Sequence, residues 1–236
     1  MQLNKYDLNW CVRRLPHTVR SMLKKEQVIV AGGYIRACIL NEPINDIDLF
    51  VKDKEYAGQV AMGLVGNDPK RLITTNNAIT IKGMKYPIQF ITRWVFDNTS
   101  AILQSFDFTI CQAMFWWDQS DNKWHSCVSE TFYQDLAAKR LIYTEPIREE
   151  EAGGSMLRVL KYYQRGYRIT IDSFAAVITR LAAGVEHDDR TVDRNGRIIT
   201  DQFHRVIRGL LHEVDPNIDP DHIIEDAHPE DEDENT

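Results

Sequence analysis

Long apolar runs are missing from this sequence. No stretch approaches the roughly 18 apolar residues that suggest a membrane span, and the N-terminal MQLNKYDLNWCVRRLPH lacks the apolar core of a signal peptide. We therefore expect a cytoplasmic protein without a membrane partner. At 236 residues the chain is long enough for one large or two small globular domains.

Cysteine and histidine motifs for metals or disulfides are missing as well. Cys11, Cys38, Cys111 and Cys127 form no CxxC pair, which argues against a zinc knuckle and against a disulfide framework. The seven histidines show no HExxH motif and no paired-ligand spacing. We interpret the cysteines as reduced thiols and assign the histidines no metal role.

Lysine and arginine are absent from the C-terminal segment 213–236, which carries eleven Asp and Glu. The whole chain has a formal charge of −7, but the balance without this segment is +4. The composition predicts a solvated acidic tail attached to a mildly basic body that could meet a polyanion. The tail could either serve solubility alone or compete for the basic surface.

Apolar periodicity predicts alternating helices and strands in the first 120 residues. We expect an amphipathic helix over 5–25, interrupted at Pro16, and a helix over 55–66. A short helix, YIRACIL, should separate two strands, QVIVAGG and NDIDLFV. Three further strands should follow: AITIKG, PIQFIT and FDFTICQAMFW. A helix near 99–105 should lie between the last two of these strands. Three helical segments follow from about residue 148: EEEAGGSMLRVLKYYQRGY, TIDSFAAVITRLAAG and DQFHRVIRGLLHEV. The order predicts an α/β (α+β) fold with a small mixed sheet.

Two aspartates and two glycines are the strongest chemical signal. Side chains two apart on a strand share a face, so Asp46 and Asp48 should project together, and such a carboxylate pair suits Mg²⁺ or Mn²⁺. The spacing alone is weak evidence, because the acidic tail repeats it twice. The context is stronger, since Gly32 and Gly33 lie between a strand and a helix, where backbone N–H groups can approach a phosphate.

The stretch AGGYIRACILNEPINDIDLFV resembles the opening motif of the polymerase β-like nucleotidyltransferase superfamily. It is most similar to the head of tRNA nucleotidyltransferases and bacterial poly(A) polymerases, where GG-x-x-R at a helix start precedes a D-x-D strand. FDFTICQAM and MLRVLKYYQRGYRITID resemble the family's third motif and its helical neck. Periodicity, composition and this resemblance together predict four regions: an N-terminal helix (1–25), a nucleotidyltransferase catalytic head (26–147), a helical neck (148–212) and an acidic disordered tail (213–236).

The chain departs from this family at several positions. Ser105 and Phe106 replace the Arg-Arg pair before the third motif, and Ala37 replaces a frequent Asp. In the neck, Ala152 and Ser155 replace the Asp and Arg that select the nucleotide. The resemblance therefore supports nucleotidyl transfer and leaves the choice of nucleotide open.

The reaction implied by the resemblance is attack of a hydroxyl on the α-phosphate of a nucleoside triphosphate, with release of pyrophosphate. Asp46 and Asp48 would bind Mg²⁺ or Mn²⁺, while Gly32 and Gly33 would cradle the triphosphate. Asp107 is the candidate third carboxylate, either a metal ligand or a contact near the ribose. YPIQFITR offers no acidic alternative, only Gln89, which favours Asp107 as the ligand.

Further candidates could contact the nucleotide. Thr109 should share a strand face with Asp107 and is assigned to nucleotide binding. Cationic candidates for phosphate or base are Arg36, Arg93, Arg158, Lys161 and Arg165, the last three at the spacing of one helical face, although a solvated basic face would look the same. Trp116, Trp117 and Trp124 could stack on bases, but core packing or interface burial is the favoured explanation.

The sequence thus predicts a metal-dependent nucleotidyltransferase that moves a nucleoside monophosphate to a hydroxyl acceptor. An RNA (tRNA) 3′ end is the expected acceptor, by analogy with the similar family and from the mildly basic body. Two alternatives stay open. One is a toxin-like or antiviral nucleotidyltransferase that modifies tRNA or protein, and the other is a catalytically silent module that binds nucleotide or RNA.

Overall fold

The computed structural model describes residues 1–93, 95, 98–146, 153–183 and 194–195. The chain divides into two compact units. The first unit comprises Met1–Ala138 with Thr144–Arg148, and the second comprises Lys139–Tyr143 with Glu149–Thr236. The helix expected in DQFHRVIRGLLHEV and the acidic tail lie outside the described residues.

The N-terminal region folds as two helices, α1 (Lys5–Arg14) and α2 (His17–Leu23). The side chain of Asn4 caps α1 by accepting a hydrogen bond from the backbone N–H of Asp7. The chain is extended at Leu15 because a residue before proline is pushed away from the helical region. The predicted interruption at Pro16 is confirmed.

A seven-stranded mixed sheet forms the centre of the first unit, in the order β3-β4-β5-β2-β1-β6-β7. The strands β2 and β5 pair in parallel and all other neighbours pair antiparallel. The predicted mixed α/β class is therefore confirmed. The strands are β1 (Ile29–Ala31), β2 (Ile47–Phe50), β3 (Leu72–Thr74), β4 (Ala78–Ile81), β5 (Ile88–Ile91), β6 (Ala113–Asp118) and β7 (Lys123–Val128).

Helices cover both faces of this sheet. On one face, the fully buried Val30, Leu49 and Phe115 are paired neighbours across β2, β1 and β6. On the other face, Phe50 and Met114 form a core cluster with a residue of α5. The helices of this unit beyond α2 are α3 (Gly33–Leu40), α4 (Lys54–Leu64), α5 (Thr99–Gln104) and α6 (Phe132–Ala137).

The strand expected over FDFTICQAMFW is wrong in its first half. Thr109–Cys111 form a 3₁₀ turn instead, closed by a hydrogen bond from the Gln112 N–H to the Thr109 carbonyl, and β6 begins only at Ala113. The alternation of Phe and polar residues is typical of a strand, but here the polar side chains of Asp107 and Thr109 are buried as well. Asp107 and Thr109 therefore share no strand face.

The second unit contains two helices, α7 (Gly153–Gln164) and α8 (Ile171–Ala183). Two short strands, β8 (Arg140–Leu141) and β9 (Arg168–Ile169), pair in parallel. The end of α7 is a Schellman turn, in which Gly166 has φ +84° and the Tyr167 N–H bonds to the Tyr162 carbonyl. Both helices were predicted from the sequence, whereas the strand pair was not.

The structure also bears on the cysteines and on membrane-spanning helices. All four cysteines are free thiols, as expected, and the structure buries three of them. Within the described parts of the chain, no helix has the length and apolar character needed to cross a bilayer.

Candidate functional site

Asp46 and Asp48 lie on either side of Ile47 at the start of β2. Ile47 and Leu49 are fully buried, whereas both carboxylate residues are half-buried. This alternation places the two carboxylates together on the opposite face of the strand. Asp48 pairs with Ala31 of β1 on one side and with Gln89 of β5 on the other, so the pair sits at the centre of the sheet.

Gly32 brings the backbone directly against Asp48, one member of this pair. A Cβ atom at Gly32 would lie 3.7 Å from Oδ2 of Asp48 and only 2.8 Å from a ring carbon of Phe106. Its φ of +84° is also a conformation that side chains with a Cβ rarely adopt. The position therefore requires glycine for two independent reasons, and the turn before α3 lies next to a metal-compatible carboxylate.

Of the two glycines expected to bind phosphate, Gly32 has a backbone N–H that another strand already uses. The N–H of Gly32 donates to the Ala113 carbonyl at 2.9 Å, so β6 uses it. Gly33 and Tyr34 open α3, and the first N–H groups of a helix have no acceptor within the helix. These amides are the ones that can face an anion at the helix N-terminus.

Arg36 is buried rather than presented to solvent. It is 4% exposed, and its Nε donates to a carboxylate oxygen of Glu42 at 3.2 Å. Its guanidinium nitrogens lie 3.9 and 4.0 Å from the position of a Cβ on Gly33. Arg36 thus ties the turn after α3 to the start of that helix, and its predicted role in nucleotide binding stays a prediction.

Asp107 is 2% exposed and lies in the loop between α5 and the 3₁₀ turn. The loop is held by Thr144, whose N–H donates to the Asp107 carbonyl and whose hydroxyl donates to the Phe106 carbonyl. The ring of Phe106 packs edge-on against Phe50 at 5.9 Å and covers Gly32. The loop that carries Asp107 therefore lies against β2, which carries Asp48, and against the turn at Gly32.

Thr109 takes part in a buried network that the sequence did not reveal. Its hydroxyl and that of Thr131 both donate to Oδ2 of Asp135 at 2.7 Å. Asp135 is completely buried on α6. The network fixes the 3₁₀ turn after Asp107 to α6, which gives the Thr109 hydroxyl a structural partner. Its predicted contact with a nucleotide stays a prediction.

The remaining cationic candidates fall in different places. Arg93 is exposed in the first unit, and its N–H donates to the Asn77 carbonyl. Arg158 and Lys161 lie one turn apart on α7, but Arg165 follows the end of this helix, so the expected single helical face does not include it. These three residues belong to the second unit, and their approach to a nucleotide stays a prediction.

The residues that replace the family's nucleotide-selecting pair also belong to the second unit. Ser155, in the first turn of α7, is 4% exposed and therefore buried. Ala152 lies outside the described residues.

The tryptophans pack on the hairpin of β6 and β7. Trp116 stacks on His125 at 5.9 Å, and Trp117 meets Trp124 edge-on at 5.2 Å. The ammonium of Lys24 lies 4.6 Å from the Trp117 ring centre. All three tryptophans are half-buried, and these contacts show each ring packed against neighbouring side chains.

The same hairpin holds a group that sequence reasoning missed. Ligand atoms of Asp118, Asp121 and His125 lie within 4.8 Å of one another, with His125 Nε2 2.9 Å from Asp121 Oδ2. Hydrogen bonds from Ser120 hold the pKa of Asp118 below its usual value. The β6–β7 hairpin brings these residues together. Their spacing in the sequence matches no metal-binding motif, so the sequence showed no sign of the group. The group is partly solvent-exposed, and such groups are common without an ion.

Comparison with solved structures shows the fold. A CCA-adding enzyme with ATP has a TM-score of 0.58 and 18% identity, covering 87% of this chain and 49% of that one. The Thermotoga maritima CCA-adding enzyme with tRNA has a TM-score of 0.56, 18% identity and the same coverages of 87% and 49%. A CCA-adding enzyme with CTP has a TM-score of 0.54 and 18% identity, covering 78% and 47%. The first unit thus has the fold of a nucleotidyltransferase head.

Comparison of sequences indicates a different specific family from the tRNA enzymes. The Gabija anti-defense 2 protein of Bacillus phage SPbetaL7 is 24% identical over 156 residues, which is 66% of this chain and 38% of the phage protein. The chain thus spans well under half of this relative and about half of the solved enzymes. A family model described as Gabija anti-defense 2 family protein matches residues 2–139, more than half of the sequence. The chain therefore belongs to the Gabija anti-defense 2 family.

Proposed function

We propose that this protein is a metal-dependent nucleotidyltransferase, which transfers a nucleoside monophosphate from a nucleoside triphosphate to a hydroxyl group and releases pyrophosphate. The observation that carries the proposal is the 3.7 Å separation between Asp48 Oδ2 and the Cβ position of Gly32. This distance places the turn before α3 against Asp48, one carboxylate of the pair, without room for a side chain. Divalent metals bind carboxylate oxygens, and phosphate binds the first amides of a helix, so the two kinds of group lie side by side here.

The residues present fit a magnesium or manganese ion. Asp46 and Asp48 offer carboxylate oxygens from one strand face, and their mutual repulsion falls when a cation lies between them. Such an ion, when bound, stabilises the charge that develops on the phosphate oxygens. The first amides of α3 would orient the triphosphate through its oxygens. Asp107 would either complete the ligand set or hold the ribose.

The preferred acceptor is an RNA 3′ end. The solved proteins of similar fold are CCA-adding enzymes, one of them in complex with tRNA, and this chain without its acidic segment has a net positive charge. Membership of the Gabija anti-defense 2 family favours a role against a defence system of that name. A nucleotide attached to tRNA or protein of that system would be one route to such a role. A module that binds nucleotide without turnover is the other candidate.

The test is transfer of label from each α-³²P nucleoside triphosphate to total RNA, with Mg²⁺ or Mn²⁺, resolved on a denaturing gel. We expect labelled RNA with the native protein and none with Asp46→Ala or Asp48→Ala, because removal of one ligand separates metal from triphosphate. Glu55→Ala, which removes an exposed carboxylate from the next helix, is the matched control and should retain activity.

The outcomes separate the candidates. Label on protein instead of RNA would favour the protein-modifying alternative. Nucleotide binding without any label would favour the silent module. Activity close to native in either aspartate variant, with circular dichroism showing an intact fold, would contradict the proposed site.

A further inference from the structure

The second unit carries a net positive charge before its acidic C-terminal segment, because residues 139–143 and 149–212 contain twelve basic and nine acidic side chains. Its described residues include one carboxylate, Asp172, and eight basic side chains: Lys139, Arg140, Arg158, Lys161, Arg165, Arg168, Arg180 and Arg194. The segment 213–236 of the same chain has the opposite composition, with eleven acidic residues and no lysine or arginine. The two parts are therefore complementary in charge.

Four of these cations are concentrated where β8, β9 and the end of α7 meet. Arg140 and Arg168 are paired neighbours in the β8–β9 ladder, and the Arg168 N–H donates to the Lys139 carbonyl at 2.8 Å. The Lys139 ammonium in turn donates to the Arg165 carbonyl at 3.3 Å. We call Lys139, Arg140, Arg165 and Arg168 the β8–β9 basic patch.

Neutral groups hold two of these cations in place. The Lys139 ammonium lies 5.6 Å from the Tyr167 ring centre, and the Arg168 guanidinium lies 4.8 Å from that of Tyr163. Arg168 also donates to the Tyr167 carbonyl at 3.0 Å. Rings and carbonyls carry no formal charge, so they order these exposed cations and leave their positive charge available to an anionic chain.

We propose that the acidic segment 213–236 docks on the β8–β9 basic patch and competes there with a polyanionic acceptor. About 30 residues separate Ala183, the end of α8, from Glu213, and at about 3.3 Å per residue this length far exceeds the roughly 18 Å of α7. A tethered segment also has an effective concentration in the millimolar range. The docking itself is independent of catalysis, whereas the competition with RNA rests on the proposed function.

Zero-length cross-linking with a carbodiimide tests the docking directly in the full chain. The reagent joins Lys139 to any carboxylate in contact, and peptide mapping identifies the partner. Lys85 is a matched internal control, since it is exposed in the first unit and lies 5.3 Å from the Tyr86 ring centre. We expect cross-links of Lys139 to segment 213–236 at least about fivefold above those of Lys85 at about 50 mM salt, with the excess lost near 500 mM.

Two variants sharpen the result. Arg168→Gln should lower the Lys139 cross-links severalfold, whereas Arg13→Gln on the exposed side of α1 should leave them unchanged. Equal yields at Lys139 and Lys85, or yields that Arg168→Gln does not alter, would overturn the docking proposal.

The competition is measured by the affinity for a fluorescein-labelled 20-nucleotide oligo(U) RNA in an Asp46→Asn/Asp48→Asn background. Neutralising the segment by Asp→Asn and Glu→Gln should tighten binding about tenfold at low salt, while shuffling its order should not. If cross-links form but RNA binding is unaffected, the segment docks without competing. If RNA is not bound at all, the acceptor proposed above is wrong while the docking stands.

Discussion

The substitution Gly32→Ala tests how strictly the turn beside Asp48 requires glycine. The new Cβ would lie 2.8 Å from a ring carbon of Phe106, closer than such contacts occur, at a φ of +84°. Phe106 cannot easily retreat, because its ring also packs against Phe50 and its carbonyl is held by Thr144. The substitution therefore imposes both backbone strain and a steric clash.

The magnitude follows from these two costs. Backbone strain at such a conformation costs about 1–3 kcal/mol. Overpacking by one methyl group costs about 1–3 kcal/mol as well. Their sum of roughly 4 kcal/mol is a large part of the 5–15 kcal/mol that is typical of a protein's unfolding free energy, and it corresponds to a fall in Tm of roughly 10 °C.

Urea and thermal unfolding followed by circular dichroism measure the effect. Gly63→Ala is the matched control, because Gly63 lies within α4 and a Cβ there would meet nothing within 4 Å. It should be neutral or stabilise by up to ~1 kcal/mol. Adding Phe106→Leu to Gly32→Ala should recover the share of the lost unfolding free energy that is due to the clash, but not the share that is due to the backbone strain at φ +84°. A Gly32→Ala protein within about 0.5 kcal/mol of the native protein would refute the reasoning.

Two further predictions concern buried polar groups. Asp135→Ala should destabilise the first unit by about 2–3 kcal/mol in urea unfolding, because two hydroxyl donors lose the carboxyl oxygen that they share. An effect no larger than that of a surface substitution would contradict the network. Burial raises the pKa of Tyr34 and of Tyr133 above the ordinary value of 10.0. The folded state therefore keeps these protons longer than the unfolded state, so the contribution of the two tyrosines to the unfolding free energy should be constant below pH ~10 and be lost above it. Tyr34→Phe should make this decline shallower, and an unchanged slope would refute the assignment.

Local patterns in the sequence predicted the elements that carry the candidate site. Alternation around Ile47 predicted the common face of the two aspartates, because a strand has a period of two regardless of its neighbours. The glycine pair after an apolar run predicted the strand-to-helix turn, since only glycine adopts such a backbone freely. Pro16 predicted the break between α1 and α2 for a similarly local reason.

Other features depended on how the chain folds back on itself. Asp107 and Thr109 looked like strand residues, but Asp135, 26 residues beyond Thr109, holds the segment in a 3₁₀ turn. The group of Asp118, Asp121 and His125 exists only because β6 and β7 form a hairpin. No spacing rule could find either arrangement.

By itself the sequence determined the local geometry of this protein: the carboxylate pair, the glycine turn and the opposite charges of its body and its last segment. The tertiary structure alone decided three contacts. The Phe106 ring packs against Gly32, and Arg36 forms a salt bridge with Glu42. Lys139 and Arg168 form a backbone hydrogen bond near the end of α7. The physical reason is range. Backbone conformation and side-chain alternation are set by neighbouring residues, whereas burial and pairing depend on which distant segments the fold brings into contact.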